Sequence, residues 1–216
     1  MKRQGAYLFD MDGVVLNSMP YHVRAWQEAF MEFGLNVPKR ILYLYEGAIE
    51  PDTAAHLFCK NGCKISEKEF EAILERQKEI FKTCYRSKIR PFPEIPQILL
   101  TLRERGVPTA LVTSSHSDIL SSILPPQLLD LFSCLVTGDS VSRRKPHPDP
   151  YLKAITTLGQ GPGECIAIEN APAGIESAKK AGLKCIAVKT TLEDQDLKGA
   201  DLIVNDHREL MDVINS

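Results

Sequence analysis

The chain has no surplus of either charge. Across 216 residues, 26 Lys and Arg stand against 28 Asp and Glu, a formal net charge of −2. Without a basic excess, neither nucleic acid nor an anionic membrane is expected as a partner, and the stretch Arg143-Arg144-Lys145 is too short to change that. No apolar run approaches the roughly 18 residues of a membrane helix. Met1-Lys2-Arg3 looks like the charged end of a signal peptide, but Asp10 and Asp12 break the apolar stretch behind it. Cysteines are few and scattered. Cys59 and Cys63 lie four apart, yet no other Cys or His pair completes a zinc site with them. Cys134, Cys165 and Cys185 sit inside apolar runs and read as buried thiols, so a reduced, cytoplasmic protein is expected. There is no internal repeat and no low-complexity segment, and nothing specifies an oligomeric state.

What is present is a regular rhythm. The composition is 44% hydrophobic and 25% charged, enough for a full core. Short apolar runs at Ala6–Phe9, Thr109–Thr113, Cys134–Thr137, Cys165–Ile168 and Lys184–Val188, with a weaker one at Leu202–Val204, read as strands. The stronger runs are continuous rather than alternating, which suits a sheet covered on both faces. Helical segments such as Ile95–Arg105, Pro150–Leu158 and Ala173–Ala181 lie between them, with Gly106, Gly159 and Gly182 where helices should stop. Strand alternating with helix predicts an α/β fold, a Rossmann-like doubly wound parallel sheet. Between the first strand and Ile95 the rhythm fails. His22–Phe33 and Glu67–Phe81 space their apolar residues at three and four, as amphipathic helices do. The expected division is a core of residues 1–17 and 91–216 with a helical cap, residues 18–90, inserted after the first strand.

Open α/β sheets bind ligands beyond the carboxyl ends of their strands. The residues placed there are Asp10-Met11-Asp12-Gly13, Thr113-Ser114-Ser115 and Glu169-Asn170, joined by Lys145-Pro146-His147-Pro148-Asp149 just before a helix. Acids, hydroxyls, one lysine and an amide on one rim match the needs of phosphoryl transfer. Magnesium takes hard oxygen ligands, few of them carboxylates. A carboxylate can attack phosphorus while the metal offsets repulsion. Thr113 and the Ser114 N–H can hold phosphate oxygens, and Lys145 can neutralise developing charge.

The segments Asp10-Met11-Asp12-Gly13-Val14-Val15, Leu111-Val112-Thr113-Ser114, Lys145-Pro146-His147-Pro148-Asp149 and Ile168-Glu169-Asn170-Ala171-Pro172-Ala173-Gly174-Ile175 together resemble the haloacid dehalogenase superfamily. The helical insert resembles its β-phosphoglucomutase-like branch. The resemblance implies Asp10 as nucleophile and Asp12 as general acid/base, with Mg2+ held by Asp10, the Asp12 carbonyl, Glu169 and Asn170. His22 matches a family position that faces the active site. Where the family often has a second acid, this chain has Asn170, so weaker metal binding is implied.

Each of these residues also has an ordinary reading. Thr113 could make a local turn, Lys145 could be a solvated charge, and Glu169 could favour the next helix's N-terminus. Asp149 reads as a helix cap. Trp26, four residues from His22, reads as core packing, and Arg76 and Lys78 as a solvated face. The expected activity is that of a Mg-dependent phosphomonoester hydrolase acting on a small phosphorylated metabolite through an aspartyl-phosphate. A sugar-phosphate mutase is the alternative, with a carbon–halogen hydrolase or a binding protein behind it. A mutase of this branch carries arginine in a Gly-x-x-Arg segment of the cap. The nearest segment here, Gly47-Ala48-Ile49-Glu50, ends in an acid.

Overall fold

The computed structural model describes residues 5–45, 62 and 65–216. Cys59, Lys60, Cys63 and the segment Gly47-Ala48-Ile49-Glu50 lie outside them. Among the described residues six strands run in parallel: β1 (Tyr7–Phe9), β2 (Thr109–Val112), β3 (Cys134–Val136), β4 (Ile166–Glu169), β5 (Lys184–Val188) and β6 (Leu202–Val204). Their order is β3-β2-β1-β4-β5-β6, with Leu8 opposite Ala110 on one side and Ala167 on the other. The chain leaves β1 to one neighbour and later returns to the other, so the sheet's switch point lies at the carboxyl end of β1.

The continuous apolar runs are explained by burial on both faces. Along β1, Leu8 packs into the core with Ala110, Tyr151 and Ala178, while the next residue, Phe9, packs into the opposite core with Ile98, Leu99 and Leu210. Both β1 residues are fully buried. Between the strands run α4 (Ile95–Glu104), α5 (Ser117–Ile123), α6 (Pro126–Leu129), α7 (Asp149–Leu158) and α8 (Pro172–Lys180), with α9 (His207–Asn215) after β6, all in the core, preceded by α1 (Met19–Glu32), α2 (Lys39–Tyr45) and α3 (Glu67–Ile80) in the insert. Gly106, Gly159 and Gly182 follow α4, α7 and α8 with φ of 68°, 64° and 80°, the left-handed stop that glycine supplies without steric cost. Asp149 differs from expectation: it is the first residue of α7, with Pro148 at the cap position, and its carboxylate accepts from Arg143 Nε at 3.1 Å instead.

The inserted cap is helical. Pro20 opens α1, and Ser66 caps α3 in a reciprocal box, its hydroxyl accepting from Glu69 N at 3.3 Å while Glu69 Oε2 accepts from Ser66 N at 2.9 Å. Trp26 is a packing residue: its ring stacks on Phe30 at 5.6 Å and on Phe70 across the helix pair at 5.9 Å. The segment joining α3 to the core departs from a simple helix. A π-helical turn covers Phe81–Tyr85, and the Thr83 hydroxyl donates to the Glu79 carbonyl at 2.8 Å, a back-bond that loosens the helical ladder. The two crossings between cap and core lie side by side, Asn17 N donating to Arg90 O at 2.9 Å and Phe92 N to Val15 O at 3.0 Å. No helix of the described residues is long and apolar enough to cross a membrane.

Leu8 tests the two-sided core. Leu8→Ala should destabilise the protein by about 2–5 kcal/mol, read as a lower urea midpoint, because the central strand cannot collapse onto the vacated volume. A midpoint shift below a tenth of the wild-type value would mean the site relaxes freely.

Candidate active site

β1 delivers Asp10 directly: its N–H donates to Ile168 O at 2.9 Å, so the residue leaves the sheet at the switch point. The chain then turns tightly, with Val15 N and Leu16 N both donating to Met11 O at 3.0 and 2.8 Å. Met11 is fully buried in the core, which leaves Asp10 and Asp12 to line the cavity above the sheet. Gly13 is required at the turn: its φ is 87°, and a Cβ there would lie 2.0 Å from Asn170 Nδ2.

Lys145 joins the strand ends. Its buried ammonium donates to Asp10 Oδ1 at 2.5 Å, to Glu169 Oε1 at 2.7 Å and to Val112 O at 2.9 Å. The solvated reading of Lys145 is therefore excluded. Tyr151, fully buried, donates to Glu169 Oε1 at 2.5 Å, and its ring lies 5.2 Å from the Lys145 ammonium. Gly174 leaves room for the Glu169 carboxylate, since a Cβ there would stand 2.1 Å from it.

Burial pushes the Asp10 carboxyl up to about 8; Lys145 opposes the rise, while Glu169 and Asp12 add to it. Burial alone would lower the Lys145 ammonium, but Asp10 and Glu169 overcome it and hold the pKa above its ordinary range. Two carboxylates around one ammonium leave a net negative charge in a dry site, so Asp10 holds a proton more tightly than an ordinary carboxylate. Asp12 goes the other way. Burial would raise it, but His22, Ser18 and Ser115 more than offset that. Ser18 Oγ donates to Asp12 Oδ1 at 2.6 Å and Ser115 Oγ to Oδ2 at 3.2 Å, while His22 Nε2 lies 3.4 Å from Oδ1. His22 is held there by stacking on Phe81, ring centroids 4.0 Å apart.

Asn170 is buried, its Nδ2 donating to Thr190 Oγ1 at 3.4 Å and its N–H to Glu169 Oε2 at 3.3 Å. Thr113 is buried at the end of β2 and makes the local turn of its ordinary reading, its hydroxyl oxygen accepting from Ser115 N at 3.0 Å. The Ser114 hydroxyl beside it is buried and lacks a hydrogen-bond partner among the described residues. All eight residues singled out from sequence, Asp10, Asp12, His22, Thr113, Ser114, Lys145, Glu169 and Asn170, line one cavity of about 910 Å³ between the sheet and the insert. Ser18, Ser115, Tyr151 and Gly174 were not assigned roles from sequence. Ser115 and Tyr151 adjoin recognisable motifs; Ser18 lies just before α1, where the insert leaves the core, and only folding shows that it reaches Asp12. Arg76 does occupy a solvated face, tied to Glu32 at 2.6 Å and Glu79 at 2.7 Å, whereas Lys78 also borders the cavity.

The donor set suits a hard cation, because Asp10, the Asp12 carbonyl, Glu169 and Asn170 all offer oxygen. Among the described residues, no three His, Cys, Asp or Glu side chains form a closed metal cage. Magnesium ordinarily uses one or two carboxylates and completes its shell with water and substrate phosphate, so such a cage is not needed.

A parallel sheet with this switch point, acids at the ends of β1 and β4, and a lysine between them define a class of hydrolase. The family model described as haloacid dehalogenase-like hydrolase matches residues 7–188, and the chain belongs to that family, in its β-phosphoglucomutase-like branch. It is 30% identical to validoxylamine A 7'-phosphate phosphatase of Streptomyces hygroscopicus subsp. limoneus, over 94% of each chain. It is 31% identical to hexitol phosphatase A of Escherichia coli (strain K12), over 92% of this chain and 89% of that one. Its fold matches the crystal structure of a hydrolase from Pseudomonas syringae with a TM-score of 0.85, at 22% identity and 98% coverage of both chains.

Gly174 offers a test of this arrangement. Gly174→Ala should leave the helix intact but displace the Glu169 carboxylate, lowering hydrolytic activity at least about tenfold. The control is Gly163→Ala, where a Cβ meets nothing within 4 Å, with both melting temperatures measured. Equal activity of the two variants would show that Glu169 tolerates displacement.

Proposed function

We propose that this protein is a Mg2+-dependent phosphomonoester hydrolase that acts on a small organic phosphate through an aspartyl-phosphate on Asp10. The observation that carries this reading is the buried Lys145 bridge between Asp10 and Glu169, at 2.5 and 2.7 Å, on the floor of a cavity large enough for a phosphorylated metabolite. The names of the relatives, phosphatases of phosphorylated sugar-like compounds, support the same substrate class. We take residues 1–17 and 91–216 as the catalytic core and 18–90 as the cap, in a cytoplasmic protein whose described cysteines are free thiols.

The chemistry divides among the residues in two steps. An Asp10 carboxylate oxygen bonds to phosphorus as the substrate's ester P–O bond breaks, and the Asp12 carboxyl gives its proton to the leaving oxygen. Asp12, now ionised, takes a proton from water; the water oxygen bonds to phosphorus, the Asp10–phosphate bond breaks, and Asp12 ends protonated again. The Ser18, Ser115 and His22 contacts favour the ionised Asp12 that the water step requires, and they oppose the protonated form of the first step, which makes that carboxyl a ready proton donor. Lys145 neutralises charge beside Asp10, and the unpartnered Ser114 hydroxyl is free to donate to a phosphate oxygen. Asp10, the Asp12 carbonyl, Glu169 and Asn170 are the groups proposed to hold Mg2+, which when bound offsets the repulsion between the carboxylate and the phosphate.

The same half-reaction serves a mutase, which returns the phosphate to a second hydroxyl. The discriminating segment, Gly47-Ala48-Ile49-Glu50, lies outside the described residues. Incubation with β-glucose 1-phosphate and its bisphosphate activator, following glucose 6-phosphate and free phosphate separately, decides between them. Hydrolysis requires free phosphate to dominate.

Two substitutions test the assignment. Asp10→Asn should retain the wild-type melting profile and fall below about 1% of wild-type turnover, since loss of a nucleophile costs orders of magnitude. Residual activity above that level would rule out covalent catalysis at Asp10. Asn170→Asp adds a negative charge at the proposed metal position. Both the Mg2+ half-saturation of activity and the calorimetric dissociation constant of Mg2+ should decrease; unchanged values would take residue 170 out of the ligand set.

A further inference from the structure

We infer that Lys82 and Arg86 form an anion subsite on the insert side of the cavity, selecting phosphomonoesters that carry a second negative group, a carboxylate or a second phosphate. The inference rests on the phosphohydrolase reading of the cavity and adds the substrate's other end. Its basis is the pairing of the cations between residues 76 and 90. Arg76 is held by Glu32 and Glu79, at 2.6 and 2.7 Å, and Lys78 by Glu75 at 2.6 Å. Lys88 lies 4.9 Å over the Tyr85 ring, and Arg90 donates to the Ser87 and Ile89 carbonyls at 2.8 and 2.6 Å. Lys82 and Arg86 have no such partner among the described residues, and both line the cavity.

Their placement follows from the helix. Lys78, Lys82 and Arg86 all line the cavity, so the segment presents all three to the same space. Phe81 stacks on His22, which abuts Asp12, so this end of the segment is anchored to the catalytic floor. The π turn and the Thr83 back-bond lie within this stretch. A cavity of about 910 Å³ far exceeds the volume of one phosphate, so the substrate has a body that extends toward these cations. A cation at a cavity wall contributes most to an anion that displaces its water, and the half-buried Arg86 can do so through paired donors, with the exposed Lys82 four residues before it.

One competing role for the pair is a closing contact between the insert and Asp118 or Asp139, acids on the core side of the same cavity. Such a contact would affect all substrates alike. The test uses unreactive phosphonates and calorimetric dissociation constants, so it does not depend on turnover. In the wild type, 6-phosphonohexanoate and hexane-1,6-bisphosphonate should each bind about tenfold more tightly than hexylphosphonate, the expected gain from one well-placed charge-assisted contact. Comparing the two anionic ligands identifies carboxylate or phosphate as the preferred tail. The double variant Lys82→Gln/Arg86→Gln should bring that preference to about one while leaving hexylphosphonate binding unchanged. Equal binding of all three ligands by the wild type, a preference that survives the double substitution, or equal weakening of all three would each overturn the subsite. Phosphate release from a neutral-tailed ester by the same proteins reports separately on the phosphohydrolase reading.

Discussion

The Lys145 ammonium is buried between two carboxylates, and each of its protons serves a different strand: Asp10 after β1, the Val112 carbonyl of β2 and Glu169 of β4. One side chain therefore ties the carboxyl ends of three neighbouring strands at the switch point of the sheet. Removing charges from water is costly, and such a cluster does not by itself favour folding. It persists because the sheet brings both acids to the same place, where unpaired they would repel each other. The buried Tyr151 phenol adds a second donor to Glu169, and Gly174 leaves the volume the carboxylate occupies.

Asp12 is arranged on the opposite principle. Its two oxygens face hydroxyls from the root of the insert and from the loop after β2, with His22 alongside. The residue two positions from the proposed nucleophile is thus coupled to where the insert leaves the core. Ser18 and His22 come from the first turn of the insert, and Phe81 from its last helix, stacked on His22. A change in the angle of the insert would alter the environment of Asp12 without disturbing the Lys145 cluster, whose members all belong to the sheet and its loops.

Most of the fold was legible because its signals are local. A run such as Thr109–Val112 is apolar at every position only if both faces are covered, and the two cores on either side of β1 supply that covering. Glycines at 106, 159 and 182 marked helix stops through a conformation other residues adopt poorly. The errors came where a signal has two meanings. An acid before a helical pattern reads as a cap, but Pro148 took that place and Asp149 paired with Arg143. A regular amphipathic pattern through Phe81 gave no sign of the π turn that begins there, within which the Thr83 hydroxyl bonds back to the Glu79 carbonyl.

By itself the sequence determined which chemistry-bearing residues follow each strand: motif spacing places Asp10, Thr113 and Glu169 at strand ends, and a parallel sheet carries all such ends to one edge. Tertiary structure alone decided what those residues touch. Lys145 is 135 residues from Asp10 and 24 from Glu169, so no local pattern could reveal that its ammonium is shared between them. The same holds for the partners of Asp12, and for which cations of the α3 segment are neutralised and which remain open to the cavity. Pairing depends on distance in space, and distance in space between remote residues is set by packing.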